Sequence, residues 1–317
     1  MVKSMEMLLS TNIRFPNLGF EFESVPTGIT VFGFEIAFYG IIIGLGMLAG
    51  WLIAEWMAKR TGQSTEIYLD FALYAIIISV ICARLYYVVF AFDEFKDNPI
   101  QIFNIRSGGL AIYGGVIGAI VTAFIYTRIK KYPFGLLADT GCIGLVLGQI
   151  FGRWGNFFNR EAFGKYTDGL FAMQLDKRDV SYDFRAPIEW LQERFAGKTA
   201  AYDRIIEIRD KTVMVDGIEY IQVHPTFLYE SLWNLCLLVF LILYTKHKKF
   251  DGEVILLYLA GYGLGRVWME GLRTDQLFLW GTPFAVSQLF SALIVIFAVF
   301  MIIFMRRKNY GEKSKTR

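Results

Sequence analysis

An all-α membrane protein with seven transmembrane helices and a small α+β extracytoplasmic domain inserted between helices 4 and 5 is the fold class that this sequence predicts. Three observations carry that expectation. The 317 residues are 55% hydrophobic and 17% aromatic but only 19% charged, with a mean hydropathy of +0.43, a balance suited to lipid. Apolar runs of the ~17 to 25 residues that a helix needs to cross a bilayer recur along the chain. Between the fourth and fifth of these runs lies a polar, charged stretch, residues 157–225, too long to be a simple connection.

The runs fall near 32–54, 67–91, 109–127, 134–153, 226–245, 253–272 and 284–305. Asp139 and Gln149 interrupt the fourth, which is the weakest. Lys59 and Arg60, then Arg128, Lys130 and Lys131, then Lys246, Lys248 and Lys249 occupy alternate loops, and Arg306, Arg307, Lys308, Lys313, Lys315 and Arg317 follow the last run. Lysine and arginine concentrate in cytoplasmic loops, so the amino terminus is expected outside and the carboxyl terminus in the cytoplasm. The chain then divides into an extracytoplasmic segment 1–31, helices 1–4 over 32–156, an extracytoplasmic head over 157–225, helices 5–7 over 226–305 and a basic cytoplasmic tail 306–317. The apolar stretch MEMLLS is too short for the core of a cleavable signal, so the first helix is expected to direct its own insertion. A net charge of +3 points to no nucleic-acid partner, because in a membrane protein the placement of basic residues matters more than their sum.

Within 157–225, PIEWLQERF places Pro187 at a first helical position and Ile188, Leu191 and Phe195 at helical spacing, predicting a short amphipathic helix. TVMVDGIEYIQV reads as a hairpin, with Asp216-Gly217 supplying a tight turn between two β-rich runs. Those alternating apolar residues argue against a disordered insert. In the helices Gly40 and Gly44, Gly46 and Gly50, and Gly114 and Gly118 keep a four-residue spacing that lets helices approach closely. The run GGLAIYGGVIG, residues 108–118, is richer in glycine than packing requires and brings exposed backbone to the outer end of the third helix.

Cys82, Cys142 and Cys236 all fall in predicted helices and are odd in number, which supports packing rather than a disulfide framework or a metal site. His224 and His247 are expected on opposite sides of the membrane, which excludes a histidine-based metal centre. His224, before Pro225, reads as structural and His247 as surface. No metal and no cofactor is expected.

The polar residues of the helices converge at one depth. GRWGNFFNRE, residues 152–161, closes the fourth run with two arginines, two asparagines and a glutamate. An arginine beside hydrocarbon costs at least ~2.5 kcal/mol, so one that is kept there usually has use for its charge. Glu35 and Tyr39 are expected to begin the first helix, Arg84 to lie in the outer part of the second and Tyr113 to open the third. Arg153 and Asn156 end the fourth, and Arg266 and Glu270 end the sixth. Tyr262, Arg266 and Glu270, spaced by four, share one helix face on which Arg266 and Glu270 can pair. Asp70 and Asp139, toward the inner side, read as packing or capping residues. Two arginines against one acid within the helices leave positive charge uncompensated. A basic cavity open at the outer leaflet follows, and its natural occupant is the phosphate of a lipid head group, which arginine grips bidentately.

Four blocks in order, GGLAIYGGVIG, GQIFGRWGNFFNREAFG, HPTFLYESLWN and GLGRVWMEGLRTDQL, resemble the prolipoprotein diacylglyceryl transferases over nearly the whole chain. The resemblance implies a bacterial cytoplasmic-membrane enzyme that transfers the diacylglyceryl group of phosphatidylglycerol to the lipobox cysteine of a prolipoprotein signal peptide. A thioether forms and glycerol phosphate leaves. It further implies catalytic roles for Arg153, Arg266, Glu270 and Tyr113, and substrate contacts from Tyr39, Arg84, Gly114, Asn156, Asn159, Glu161 and Tyr262. Some members carry a histidine where this chain has Tyr113. A tyrosine of ordinary pKa ~10 is a poor proton acceptor at neutral pH, so a histidine base is absent from that position. The substrate supplies the sulfur, so no enzyme cysteine is needed.

A transporter or flippase of an anionic lipid would use a similar basic cavity, but its polar path should continue to the cytoplasmic side. A receptor or assembly protein accounts for residues 157–225 but not for the arginines.

Overall fold

The computed structural model describes residues 12–105, 108–197, 199–274, 276 and 285–315. Each predicted apolar run forms a helix: α1 (Phe38–Arg60), α2 (Thr65–Phe90), α3 (Ile112–Ile129), α4 (Phe134–Asn159), then, after α5 (Ile188–Arg194) and α6 (Thr199–Asp210), α7 (Thr226–Tyr244), α8 (Glu253–Glu270) and α9 (Val286–Lys315). Among the described residues, six of these helices are long and apolar enough to cross a membrane; α8, whose eighteen residues include Glu253, Arg266 and Glu270, falls outside that set.

The first helix begins at Phe38 and not near residue 32. Residues 28–37 instead form a two-stranded antiparallel hairpin, β3 (Gly28–Val31) and β4 (Phe34–Ala37), with Ile29 opposite Ile36 and Val31 opposite Phe34. Phe32 and Gly33 take positive φ angles of 49° and 79°, the backbone of a tight two-residue hairpin turn. Glu35 therefore sits in a strand, facing Thr30 across the ladder, and does not open the helix. Alternating β-branched and aromatic residues over 29–36 favour strand over helix here.

The contacts divide the chain into two compact units, the first Met1–Leu48, Val146–Phe240 and Leu257–Ile303, the second Ala49–Leu145, Leu241–Leu256 and Phe304–Arg317. In the first unit a five-stranded antiparallel sheet has the order β2-β1-β5-β7-β6, built from β1 (Ile13–Phe15), β2 (Phe20–Phe22), β5 (Met173–Asp176), β6 (Val213–Val215) and β7 (Ile218–Val223). The Asp216-Gly217 turn predicted from sequence joins β6 to β7, both residues having positive φ. Two strands come from residues 13–22, so the sheet draws on the chain ahead of the first helix as well as on 157–225. Ile13, Leu175, Leu191, Ile208 and Ile221 are fully buried in its core, which joins the sheet to α5 and α6 and continues into Phe157 and Phe227 at the ends of α4 and α7. Burying each such side chain contributes about 1.5–3 kcal/mol.

Helix approach in this unit depends on absent side chains. A Cβ on Gly155 would lie 2.7 Å from the Tyr39 ring, and one on Gly46 2.9 Å from Phe151, so α1 and α4 touch backbone to side chain. On α8 Gly261 and Gly265 face Leu237 and Trp233 of α7, and Trp233 Nε1 donates to the Gly261 carbonyl at 3.0 Å.

In the second unit Gly114 and Gly118 of α3 lie against Cys82, Ala83 and Ser79 of α2, and Gly50 meets the Gly144 carbonyl, where an added Cβ would approach to 2.7 Å. Asp139 accepts from the backbone N–H groups of Gly252 and Ile255 at 2.9 and 3.0 Å and from Lys248 at 3.1 Å, capping the start of α8. Asp70 pairs with Lys130 at 3.0 Å. Asp139 thus has the capping role expected of it, whereas Asp70 serves in an ion pair.

Arg84 is buried, and its guanidinium donates to the carbonyls of Gln101, Ile102, Asn104, Gly108 and Gly109, tying down the chain between α2 and α3. All five N–H donors of the fork are engaged with backbone. Arg84→Met keeps the stem and removes the donors. It is expected to destabilise the protein by at least about 3 kcal/mol in thermal unfolding, because each hydrogen bond to a charged group is worth about 1.5–3 kcal/mol.

Candidate active site

Arg153 lies on the next-to-last turn of α4, one helical turn before Asn156. The close packing of Trp233 against Gly261 and Gly265 brings α7 onto α8, and Glu230, one turn before Trp233, reaches the same place as Arg266. Glu230 is 5% exposed. Its Oε2 lies 2.8 Å from Arg153 Nε in an ion pair and accepts from Arg266 Nη1 at 3.4 Å, and its Oε1 lies 3.6 Å from Arg273 Nη1. Arg266 Nη2 also pairs with Glu270, one turn on along α8, as the four-residue spacing predicts. One buried carboxylate therefore gathers three guanidinium groups from α4, α8 and the chain after α8.

Glu230 was not among the residues singled out from sequence. It lies within the block HPTFLYESLWN and inside a predicted apolar helix, and an ionisable residue at such a place is the signal that would have found it. Its presence keeps the charge balance: Arg153, Arg266 and Arg273 face Glu230 and Glu270, so the two-against-one expected from sequence becomes three against two with the same formal surplus of one positive charge. Arg204 of α6 adds a fourth cation: its Nη1 donates to the Arg273 carbonyl at 2.6 Å and it lies within electrostatic reach of Glu270.

Arg153 is held by this ion pair, and among the described residues its terminal nitrogens donate no hydrogen bond while its side chain keeps 18% exposure. Two parallel N–H donors so presented match the oxygens of a phosphate or carboxylate. A small cleft lined by Glu230, Trp233, Asn234, Tyr262, Arg266 and Met269 adjoins the cluster, which places Tyr262 with the arginines.

At the end of α4 the Asn156 and Asn159 amides both donate to Glu161 Oε1 at 3.2 Å, and the Glu161 N–H returns to the Asn156 carbonyl at 3.1 Å. Arg160 and Ala162, on either side of Glu161, have positive φ, which turns the chain sharply away from the helix axis. Tyr39 stacks over Gly155 and lies within electrostatic reach of Arg153 and Glu161. Arg160, the other arginine of GRWGNFFNRE, is buried against the carbonyls of Val25 and Phe158 with Asp179 at 3.6 Å, so its charge serves the fold of the head.

A family model described as prolipoprotein diacylglyceryl transferase matches residues 26–304. The chain belongs to the prolipoprotein diacylglyceryl transferase family. It is 40% identical over 286 residues to a phosphatidylglycerol–prolipoprotein diacylglyceryl transferase of Clostridioides difficile, covering 90% of this chain and 97% of that one. The enzymes of the same name from Bacillus cytotoxicus and Bacillus anthracis are 37% and 36% identical over 280 residues, each alignment covering 88% of this chain and 92% of the relative.

Three residues that the family resemblance pointed to lie in the second unit. Arg84 is engaged with backbone carbonyls as described above. Gly114 is held against Cys82, Ala83 and Tyr86, where a side chain would not fit. Tyr113, on the first turn of α3, is exposed, with its ring 6.4 Å from that of Tyr86. His224, in the first unit, is stitched into the backbone through Gly164 and Lys165, and its Nδ1 lies 3.2 Å from the Tyr229 hydroxyl. Burial, with Lys165 adding to it, lowers the pKa of the ring, so the imidazole is neutral at pH 7.

Proposed function

We propose that this chain transfers the diacylglyceryl group of phosphatidylglycerol to the lipobox cysteine of a prolipoprotein, the first step of lipoprotein maturation. The single observation that carries this reading is Arg153: a partly exposed guanidinium paired with a buried glutamate, whose terminal nitrogens donate to none of the described residues. The lipid phosphate is the ligand that suits it. In the reaction a sulfur–carbon bond forms as the carbon–oxygen bond to phosphate breaks, and glycerol phosphate departs. Charge builds on the departing oxygens, where preorganised donors contribute most. Arg153 and Arg266 bind that phosphate, Glu230 and Glu270 hold the two guanidinium groups in place, and Asn156 bonds the head group. Glu161, fixed by Asn156 and Asn159, positions the thiol or a neighbouring donor. Tyr39 and Tyr262 contact the glycerol or the phosphate. The substrate thiol, of ordinary pKa ~8.5, already has a thiolate fraction that a surplus of positive charge enlarges.

In this reading all seven apolar helices cross the bacterial inner membrane, with the amino terminus and the head over 157–225 outside and the basic tail inside. The loops rich in lysine and arginine support that orientation.

Purified protein incubated with phosphatidylglycerol vesicles and a lipobox peptide is expected to yield the diacylglyceryl adduct, read by mass spectrometry, whereas a Cys→Ser peptide yields none. Absence of adduct from the cysteine peptide with folded protein would overturn the proposal.

A further inference from the structure

The hairpin ahead of α1 combines two features that water disfavours. In the antiparallel register Ile29 pairs with Ile36 and Val31 with Phe34, which puts these four on one face, while Thr30 and Glu35 pair on the other. Ile29, Val31 and Ile36 are each exposed, and Phe32 at the tip is 96% exposed. Phe32 also takes the left-handed backbone that hairpin turns of this type assign to asparagine, aspartate or glycine. A large apolar side chain held in a strained conformation and fully presented outward is explained by an apolar medium that receives it.

A two-stranded hairpin is marginal in water without a surface to pack on. This one is joined directly to α1, whose first N–H, that of Phe38, donates to the Thr27 carbonyl at 2.9 Å at the base of the hairpin. The helix that follows is long and apolar enough to span a membrane, so the hairpin begins where the bilayer surface lies. We infer that the apolar face of the β3–β4 hairpin and Phe32 at its tip rest in the membrane interface beside the start of α1. Aromatic and β-branched residues on one face, a polar pair on the other and attachment to a spanning helix fit lipid as the occupant, in the manner of interfacial amphipathic elements. The inference rests on α1 crossing the bilayer and not on the proposed activity.

Spin labels attached to Phe32→Cys, Ile36→Cys, Thr30→Cys and Glu35→Cys test it. They are placed in a background with Cys82→Ser and Cys236→Ser, Cys142 being buried. The proteins are placed in nanodiscs of phosphatidylethanolamine and phosphatidylglycerol. Collision with oxygen, which partitions into lipid, is compared with collision with a water-soluble nickel chelate. The oxygen-to-nickel ratio is expected to be several-fold higher at positions 32 and 36 than at 30 and 35. Equal, nickel-dominated ratios on both faces would overturn the inference by placing the hairpin in water. Exclusion of both reagents from positions 32 and 36 would overturn it by showing that protein, either another part of this chain or a second copy, covers the face. Because the readout is independent of turnover, failure of the transferase assay leaves it standing.

Discussion

Arg153→Ala is expected to lower the turnover of thioether formation by about 100- to 1,000-fold at saturating lipid, the range seen when one preorganised donor to a developing oxyanion is removed. Arg153→Lys should recover little of this. A planar guanidinium can pair with Glu230 and still offer a fork of donors to the ligand, and a single ammonium cannot serve both. The thermal midpoint should fall less than for Glu230→Ala, because Arg266 and Arg273 still face Glu230 when Arg153 is gone. Rates are read with a lipobox peptide and phosphatidylglycerol, and a near-normal rate for Arg153→Ala would remove the phosphate from that side chain. Arg266→Lys differs in kind, since Arg266 bridges Glu230 and Glu270 and its replacement loosens both acids as well as the ligand site.

Glu230→Ala is expected to lower stability and activity together. Glu230 is buried and faces three arginines, and removing one partner of a buried ion pair destabilises by about 3–5 kcal/mol because the charges left behind have no counterpart. The thermal midpoint in detergent should drop markedly, and the transfer rate with it. Glu230→Gln retains an acceptor for one guanidinium and should fall between the parent and the alanine variant. An unchanged midpoint for Glu230→Ala would mean that the arginines are held by other groups. High salt should rescue neither variant to any great extent, since partly buried pairs are weakly screened.

Much of this architecture is legible in the sequence. Runs of apolar residues locate each helix because hydrocarbon leaves a chain no alternative to internal hydrogen bonding, though ends of the first, fourth and last differ by six residues or more. Asp216-Gly217 marked its hairpin because two successive positive φ angles restrict the residues that can occupy them. The four-residue step from Arg266 to Glu270 predicted their pairing, since a helix places such residues on one face. Local signals of this kind survive because neighbours in sequence decide them.

Other features depended on partners distant in the chain. Strands at 13–22 complete a sheet whose remaining strands begin at residue 173, and nothing in three-residue strands announces that pairing. The hairpin over 28–37 was absorbed into the first helix because its apolar residues continue the hydrophobic run. The helix Thr199–Asp210 is short and largely polar, so its buried stripe of Ala201, Ile205 and Ile208 does not stand out as an apolar run. Arg84 looked like a ligand-binding arginine because burial of a cation inside a helix is the same signal whether lipid phosphate or a looped backbone neutralises it. Only the course of residues 101–109 distinguishes the two.

From residue order alone came the membrane class, the helix spans, the basic loops and the identity of the residues worth suspecting, because solvation by lipid and the pitch of a helix act on each segment separately. Three-dimensional packing settled which suspected charges meet. Glu230 became the hub of the site because Trp233 finds glycines on α8, and Arg153 pairs with that hub while its side chain stays partly exposed. A charge's role depends on its nearest counter-charge, and across helices far apart in sequence that neighbour is fixed by close packing.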